Sequence, residues 1–398
     1  MTHALERAAA FSFLLLAAAL PWSIAPMSIA VVLCGALTLA VWWLPGGPRW
    51  YRTPIDYPAL GWLVALVLAS ALGEDPTGSW GRVTKGLLLA IVPLAAYHAR
   101  DPKLARRAMA ALLVSAAIAT IYALVKFVAQ GGAFPVRVRG AVGHPLTYGG
   151  QAMLLATVAG ALLLRSDDKR WKIGAAALLT LVVPALLGSY TRSAWISTIV
   201  AWAVILAFTR ARWLVGLAAA VVAIVLVLPG GYRERALSAF QPHSFWNRER
   251  LLLWQSGWHI FQERPVTGVG LQDLYPLIQK YRSPEAHESH GHLHNVYLQI
   301  VATMGVVGLA AFAWLVTGLF RTAGRRLWND LRGIGGTGGF GVALRLGAVA
   351  ALVGFLVAGL FEWNFGDEEL LDFLFVLVGI AFAASGWERA CGDAPRSS

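Results

Sequence analysis

Apolar segments long enough to form membrane helices recur along almost the whole chain, and this recurrence constrains the fold more than any other sequence feature. Lipid offers no hydrogen-bond partner to an exposed peptide group, so such segments are expected to cross a bilayer as helices. Of the 398 residues, 58% are hydrophobic and only 14% are charged, whereas soluble domains carry about 25% charged residues. The composition therefore predicts an all-α polytopic membrane protein with about twelve transmembrane helices. The predicted spans are residues 8–24, 27–45, 57–73, 84–98, 108–129, 147–165, 173–189, 195–209, 213–229, 296–320, 343–362 and 369–386.

The distribution of basic residues predicts the orientation of these spans. With twelve spans both termini lie on one side, and the loops on that side are rich in lysine and arginine, as in residues 100–107, 169–172 and 321–332. The alternate short loops carry little positive charge. Because cytoplasmic loops carry an excess of Lys and Arg, both termini are predicted to be cytoplasmic. The net charge of +12 is spread over many short loops, which argues against nucleic acid as a partner.

One long polar segment, residues 230–293, interrupts the apolar runs. It divides the chain into residues 1–229, with nine predicted spans, and residues 294–398, with three more spans and a cytoplasmic tail. By alternation the segment forms a large loop on the outer side, which is the periplasm if the host is a Gram-negative bacterium. Cations and histidines are costly near lipid, so their concentration in this loop predicts the functional site there.

Two arginines on the predicted outer side are candidates for binding an anion. Arg250 is expected to open a helix that runs to Glu263 and presents Trp254 on the same face. A helix N-terminus favours anions, and a guanidinium binds phosphate through two parallel hydrogen bonds. Arg192 stands in a polar break between two spans, where an isolated arginine is a functional candidate. The alternatives are an ion pair of Arg250 with Glu249 or another carboxylate, an interfacial position for Arg192, and apolar packing for Trp254.

Four histidines end the loop, at positions 287, 290, 292 and 294. Their irregular spacing, with no cysteine beside them, argues against a metal site, and no other cofactor is expected. A single histidine acting as general base fits better, because its ordinary pKa of about 6.5 suits proton transfer near neutral pH. Asn295 is expected to cap the following long helix and thereby to fix His294 at the top of the span.

Other parts of the outer side are given structural interpretations. A turn at Pro265–Gly270 is expected to separate the first loop helix from a second helix at Leu271–Tyr281, and both are expected to lie on the membrane surface or cap the bundle. Glu362 and the acidic group Asp367–Glu369, between the last two spans, are interpreted as a solvated loop.

Three motifs follow one another in the second half of the chain: Ser189–Trp195, then Arg250–Trp254 with Pro265–Gly270, then His292–Asn295 with Gly305–Gly308. Taken together and in this order, they resemble those of the O-antigen ligase and polymerase superfamily. Each motif alone is weak, but their order and their shared topological side make the resemblance specific.

The resemblance implies a GT-C-like membrane glycosyltransferase that transfers a polysaccharide from undecaprenyl diphosphate to an acceptor hydroxyl outside the bacterial inner membrane. In the ligases of the superfamily the acceptor is a sugar of lipid A–core. By resemblance, Arg192 and Arg250 stabilise the departing diphosphate, and His294 accepts the proton of the attacking hydroxyl. Direct displacement then inverts the anomeric configuration, with no nucleotide or metal. The expected substrate-binding residues are Arg248, His292, Asn295 and Trp254.

Three alternatives stay open at this point. A polymerase would pass the glycan to another lipid-linked glycan. A protein O-oligosaccharyltransferase commonly has a larger extracytoplasmic C-terminal portion than the residues that follow the last predicted span here. A transporter or flippase for the same lipid would carry charge in the middle of the membrane, whereas the candidate residues lie on one face. The sequence favours a ligase, with a polymerase as the nearest alternative.

Overall fold

The structure is a computed structural model that describes residues 2–44, 51–227, 230–241, 244–288, 290–332 and 339–387. Within these residues the chain forms helices and loops and no β-strand. The α-helices are α1 Thr2–Ala19, α2 Ile24–Trp42, α3 Asp56–Leu72, α4 Pro76–Val83, α5 Ile91–His98, α6 Pro102–Ala129, α7 Pro145–Arg165, α8 Lys169–Gly188, α9 Arg192–Thr209, α10 Trp213–Val227, α11 Gly230–Leu237, α12 Phe245–Glu263, α13 Tyr275–Lys280, α14 Val296–Ala323, α15 Leu327–Leu331, α16 Gly339–Ala358 and α17 Glu368–Ala384. Three 3-10 segments are Thr84–Ala90, Ser238–Phe240 and Asn364–Gly366.

Seven of these helices are long and apolar enough to cross a membrane, namely α2, α6, α7, α8, α9, α14 and α16. The apolar helices α3 and α10 are shorter, with 17 and 15 residues. The predicted span at residues 84–98 is a 3-10 segment followed by α5. The all-helical, multi-pass class is therefore confirmed. The count of about twelve spans and the GT-C-like arrangement stay predictions, and the predicted tail at 388–398 lies outside the described residues.

Helix α7 lies at the centre of the bundle, packed against α8, α9 and α16, and most of its residues are buried. Small residues recur along it, such as Ala152, Ala156 and Ala159, each at most 1% exposed. Small side chains let helix backbones approach closely, which favours helix association where lipid provides no hydrophobic driving force. Helix α17 is buried in the same way and packs against α5 and α16.

Loops that the sequence assigns to one side of the membrane meet at one end of the bundle. Hydrogen bonds at this end join Glu74 to Val269, Lys85 to Gly366 and Val296 to Gly359. Hydrogen bonds at the opposite end join Ala99 to Trp387 and Arg326 to Ser385. The bundle thus gathers the polar segment 230–293 and the alternate short loops into one layer, here called the loop end. Which end faces the cytoplasm stays a prediction from the basic residues.

Candidate active site

A cavity of about 800 Å³ lies at the loop end. Its walls come from the start of α7, the start of α9, helix α12, and the segments that precede α14 and α17. Seven arginine and histidine side chains line it, namely Arg137, His144, Arg235, Arg250, His290, His292 and His294. The cavity therefore brings one of the two sequence-predicted arginines together with the sequence-predicted base.

Helix α12 carries Arg250 but begins earlier than predicted. The helix starts at Phe245, so Arg250 lies in its second turn and not at its N-terminus. The expectation that Arg250 opens a helix is therefore wrong. The reason is that Ser244 takes the N-cap position with extended backbone angles, while Asn247 ties the first turn to the carbonyl oxygen of Ser238 at 3.0 Å. Any anion held by Arg250 is bound by its guanidinium charge and not by the end of the helix.

The turn at Pro265–Gly270 is fixed against a break in α14. Two N–H groups of the turn donate to the carbonyl oxygens of Ala302 and Thr303, each at 3.0 Å, and two N–H groups of α14 donate back to the turn at 2.9 and 3.2 Å. The break is at Gly305, with φ of 60°, and Gly268 faces it with φ of 71°. A Cβ on Gly268 would lie 2.2 Å from the carbonyl carbon of Thr303. The glycines let two backbones touch, and this contact holds α12 against α14.

The second loop helix is shorter than predicted, at Tyr275–Lys280 in place of 271–281. Its first turn contains Pro276, and the N–H of Tyr275 donates to the Asp273 carboxylate at 3.0 Å, so the preceding residues form a turn. Helices α12 to α14 and the segments between them enclose a small apolar core that fixes their relative positions. Its buried members include Leu253, Ile260, Val269, Leu274, Ile278 and Leu293.

Glu362 joins Arg250 to His294. Its Oε1 accepts a hydrogen bond from Arg250 Nη2 at 2.7 Å, and its Oε2 lies 3.0 Å from His294 Nδ1. The side chains of Glu362, Arg250 and His294 are 12%, 24% and 15% exposed. Burial alone would raise the pKa of Glu362, but the hydrogen bond from His294 and the charge of Arg250 outweigh it and lower that pKa. The ionised carboxylate requires Nδ1 of His294 to donate, which leaves Nε2 as the proton acceptor.

This arrangement corrects one sequence interpretation and agrees with another. Glu362 is not a solvated loop residue: it faces inward, because the segment after α16 folds back over the start of α14, where Val296 N donates to Gly359 O at 2.7 Å. Arg250 forms an ion pair with a carboxylate other than Glu249, as one alternative held, and the partner is Glu362. Glu249 instead accepts hydrogen bonds from the backbone N–H groups of His287 and Glu288.

The backbone around His294 is held on both sides. His294 itself has φ of 47°, a conformation that few residues other than glycine adopt. Asn295 caps α14 as expected, since its Oδ1 accepts the N–H of Leu298 at 2.9 Å, and its Nδ2 donates to the Leu360 carbonyl at 3.0 Å. Trp254 Nε1 donates to the carbonyl of Leu293 at 3.1 Å. Asn295 and Trp254 therefore fix the position of His294, and neither lines the cavity.

Two arginines that sequence analysis did not select, Arg137 and Arg235, also line the cavity. Arg137 donates to the Ser189 carbonyl at 2.7 Å and to the Thr191 hydroxyl at 3.1 Å. Arg235 donates to the Tyr190 carbonyl at 3.4 Å. Within the described residues neither forms an ion pair with a carboxylate. Burial lowers the pKa of Arg137 to about 10, and burial followed by repulsion from Arg250 lowers the pKa of Arg235. Both stay cationic at neutral pH, so this part of the cavity favours an anion.

A sequence signal for these two arginines existed. They lie in segments predicted to be on the outer side, where the positive-inside trend disfavours basic residues, and the same argument selected Arg192 and Arg250. Arg137 lies outside the three motifs, and Arg235 lies in a short helix with no sequence pattern of its own.

Arg192 is buried beside the cavity and does not line it. It is the first residue of α9 and only 8% exposed, so the interfacial position held as an alternative is not adopted. Its two terminal nitrogens donate to the Ser238 hydroxyl and to Asn247 Oδ1, both at 3.0 Å. Arg192 thereby ties the bundle to the segment that carries Arg235 and Arg250. A direct contact of Arg192 with a diphosphate stays a prediction.

The remaining candidates divide between surface and cavity. Arg248 is 58% exposed, pairs with Glu285 at 2.5 Å, and does not line the cavity. His287, 73% exposed, lies outside it and has its Nδ1 3.2 Å from a Glu249 oxygen. His290 has its Nε2 3.0 Å from Glu288 and its Nδ1 3.4 Å from Nε2 of His294.

His292 is half-buried in the wall of the cavity. Its ring centroid lies 4.2 Å from that of His294. Burial, reinforced by the neighbouring His294, lowers the pKa of His292 to about 4. His292 is therefore uncharged near neutral pH and offers a hydrogen-bonding group in place of a cation. No group of three or more His, Cys, Asp or Glu side chains in the described ranges has the geometry to hold a metal ion.

Comparison with known families adds one match. Residues 175–313 match the family model described as O-antigen ligase. This range runs from α8 into α14 and contains Arg192, Arg250 and His294, whereas Arg137 precedes it and Glu362 follows it. No individual curated protein matches the chain significantly.

Proposed function

Because the chain carries the O-antigen ligase domain at residues 175–313 and so belongs to that superfamily, we propose that it is a ligase. It transfers a polysaccharide from undecaprenyl diphosphate to a sugar hydroxyl of lipid A–core, at the periplasmic face of the bacterial inner membrane. The observation that carries the proposal is the pairing of His294 with Glu362 in the same cavity as Arg137, Arg235 and Arg250. One side offers a proton acceptor, and the other offers cations for a leaving diphosphate.

The base in this proposal is Nε2 of His294. The acceptor hydroxyl gives its proton to Nε2 while its oxygen forms a bond to the anomeric carbon of the donor sugar. The bond from that carbon to the diphosphate oxygen breaks, and its electron pair leaves with undecaprenyl diphosphate. The imidazolium that forms is stabilised by the Glu362 carboxylate, 3.0 Å from Nδ1. A single displacement of this kind inverts the anomeric configuration.

The leaving group gains negative charge as the bond breaks, and preorganised cations at that position stabilise the transition state. Arg137, Arg235 and Arg250 supply them, and the planar guanidinium suits two-pronged contact with phosphate oxygens. Arg192 adds positive charge behind these residues and holds their segment in place. Since arginines alone provide this stabilisation, we propose that the reaction needs no divalent metal.

The other residues expected to bind substrate take separate roles. His292 lines the cavity and is the member of this set that contacts substrate. Asn295 and Trp254 act by holding the backbone of His294. Arg248, exposed and paired with Glu285, assists only as a surface charge. The boundaries 1–229, 230–293 and 294–398 describe topology and not three separate functional units, since the cavity wall draws on all three parts. Both termini are expected to be cytoplasmic.

Purified protein in detergent, mixed with undecaprenyl diphosphate-linked glycan and lipid A–core, tests the activity directly. A ligase yields glycan attached to lipid A–core. A polymerase instead lengthens the lipid-linked glycan when lipid A–core is left out, and a flippase forms no new glycosidic bond in either case.

The His294→Ala variant tests the base in the same assay. Loss of a general base costs about 10²–10⁴-fold in rate, while donor binding should persist because the arginines remain. His287→Ala is the matched control, since His287 does not line the cavity. Transfer by His294→Ala within a few-fold of the parent protein would place the base elsewhere.

The cationic wall is tested by Arg137→Ala and Arg235→Ala. Each removes a cavity cation, and a lost charge-assisted contact of about 1.5–3 kcal/mol corresponds to a roughly 10- to 150-fold slower transfer. Arg139→Ala is the matched control, because Arg139 is exposed, lies in the same loop and does not line the cavity. Equal rates for Arg137→Ala and Arg139→Ala would contradict the assignment.

A further inference from the structure

We propose that a second cavity at the loop end binds the acceptor glycan, and that Arg82 and Lys85 at its rim select an acceptor that carries an anionic substituent. The cavity measures about 260 Å³ and shares His292, Trp363 and Gly366 with the first cavity. It therefore lies directly behind the wall that carries the candidate base. The inference rests on the proposed function, because it gives the acceptor a place beside the donor site.

The location suits a group that must reach Nε2 of His294. His292 lines both cavities, and its ring centroid lies 4.2 Å from that of His294. A glycan anchored in the second cavity would extend its reacting sugar past His292 into the first cavity, within reach of the base. The first cavity is larger and holds Arg137, Arg235 and Arg250, which suit the diphosphate of the donor. The two cavities thus divide the two substrates of one transfer reaction.

The lining of the second cavity suits a sugar. Trp62, Trp363 and Phe365 give it an aromatic wall, with the rings of Trp62 and Phe365 edge to face at 5.5 Å. Aromatic rings pack against the C–H faces of sugar rings, and a few placed polar groups then fix the orientation of the ligand. The volume is close to the lower limit of small-ligand pockets, about 300 Å³, so it admits a terminal part of a glycan and not a polymer.

Gln299 supplies the clearest unoccupied donor in this cavity. It is 6% exposed, and its Oε1 accepts the N–H of Leu293 at 2.9 Å, which fixes the orientation of the amide. The other end of the amide, Nε2, makes no hydrogen bond within the described ranges, and Gln299 lines the cavity. Because Gln299 lines the cavity, a sugar hydroxyl there can accept a hydrogen bond from this nitrogen.

The rim carries two cations on the side of the membrane where basic residues are disfavoured. Arg82 donates to the Leu271 carbonyl and forms no ion pair within the described part of the chain. Lys85 donates to the Gly366 carbonyl at 3.0 Å and lies 3.3 Å from Glu368, with its side chain 43% exposed. Both side chains line a sugar-sized cavity, and Arg82 has no ion-pair partner in the described part of the chain, which favours an acceptor with phosphate or carboxylate groups.

Equilibrium binding of lipid A–core to the purified full-length protein, without donor, tests the inference independently of transfer. Arg82→Ala, Arg82→Gln and Lys85→Ala should each weaken binding about tenfold, the equivalent of 1.4 kcal/mol. Arg82→Gln keeps a donor for the Leu271 carbonyl but loses the charge, so a similar loss in both Arg82 variants identifies the charge as the cause. Arg233→Ala is the matched control, an exposed arginine of the same end that lines neither cavity.

Chemical treatment of the acceptor identifies the anionic group. If the group is a phosphate, dephosphorylated lipid A–core should bind the parent protein about tenfold more weakly than untreated lipid A–core does, whereas Arg82→Ala should bind the two equally. If the group is a carboxylate, carboxyl-reduced lipid A–core should give the same two results. Unchanged binding in all three variants, or no effect of either treatment, would overturn the inference. In the transfer assay the same variants should raise KM for the acceptor only. A raised KM for the donor would assign the rim to the other substrate, and absence of transfer by the parent protein would refute the proposed function while leaving the binding result valid.

Discussion

Replacing Glu362 by glutamine changes one atom of the side chain and removes the charge that Arg250 and His294 share. Glu362 accepts charge-assisted hydrogen bonds from both, at 2.7 and 3.0 Å. Such a bond contributes about 1.5–3 kcal/mol, and the bond to His294 gains strength as the imidazolium forms. Loss of one such bond in the transition state predicts a roughly 10- to 150-fold lower kcat. Glutamine has one acceptor oxygen and can replace only one of the two bonds, whereas aspartate keeps two acceptor oxygens and the charge. Glu362→Asp should therefore retain more activity than Glu362→Gln.

The assay is transfer from undecaprenyl diphosphate-linked glycan to lipid A–core. A double-mutant cycle with His294→Ala makes the test specific. Adding Glu362→Gln to His294→Ala should cost little more, because residues that act as one unit are strongly non-additive.

The control variant is Glu285→Gln, the same chemical change at a carboxylate that is 62% exposed and paired with Arg248. It should leave transfer within about twofold, because exposed pairs contribute little. Full additivity of Glu362→Gln and His294→Ala would refute the positioning role. Equal losses in Glu362→Gln and Glu285→Gln would show that the effect belongs to the surface charge and not to the cavity.

Four further predictions concern the stability of the site, the contacts of Arg192 and the need for a metal ion. Gly305→Ala places a methyl group on a residue with φ of 60°, so it should lower the thermal midpoint in detergent by several degrees, whereas Gly216→Ala, with open space around it, should not. Because burial lowers the pKa of His292 to about 4, the folded protein binds its proton less readily than the unfolded chain does. Its contribution to stability is therefore complete above about pH 6.5 and is lost as the pH falls towards 4. In His292→Gln the thermal midpoint should depend less on pH over that range, and an unchanged dependence would argue against this assignment. Arg192→Ala should abolish transfer and make the loop more sensitive to protease, and Arg192→Lys should rescue poorly, because lysine does not reproduce two hydrogen bonds at 3.0 Å. Transfer should survive EDTA, and loss that is restored by added metal would contradict the proposed chemistry.

Local patterns in the sequence were enough for part of the site. The helix that carries Arg250 was predicted from its apolar periodicity, although it begins at Phe245 and not at Arg250. The cap formed by Asn295 was predicted from one residue type before a long apolar run. Both features depend on residues within a few positions of each other, because helix periodicity and capping are properties of one or two turns.

The partner of His294 could not be predicted in this way. Glu362 is 68 residues from His294 and 112 from Arg250 in the chain, and it stands among other acidic residues that look like a solvated loop. Only the packing of the segment after α16 over the start of α14 turns it inward. Arg137 and Arg235 are similar, since each meets the segment 189–191 across a separation of 45 residues or more.

The sequence by itself determined that the chain is a multi-pass helical membrane protein and predicted that the candidate arginines and histidines lie on one side of the membrane. Apolar runs and unevenly placed charges express the cost of burying peptide groups and ions in lipid, and that cost acts on each segment separately. The tertiary structure alone decided which charges meet. Arg250 and His294 come together because the turn at Pro265–Gly270 docks into the break at Gly305, and Glu362 joins them because the segment after α16 packs over the start of α14. Such contacts between distant backbones depend on how whole helices pack and not on neighbouring residues in the chain.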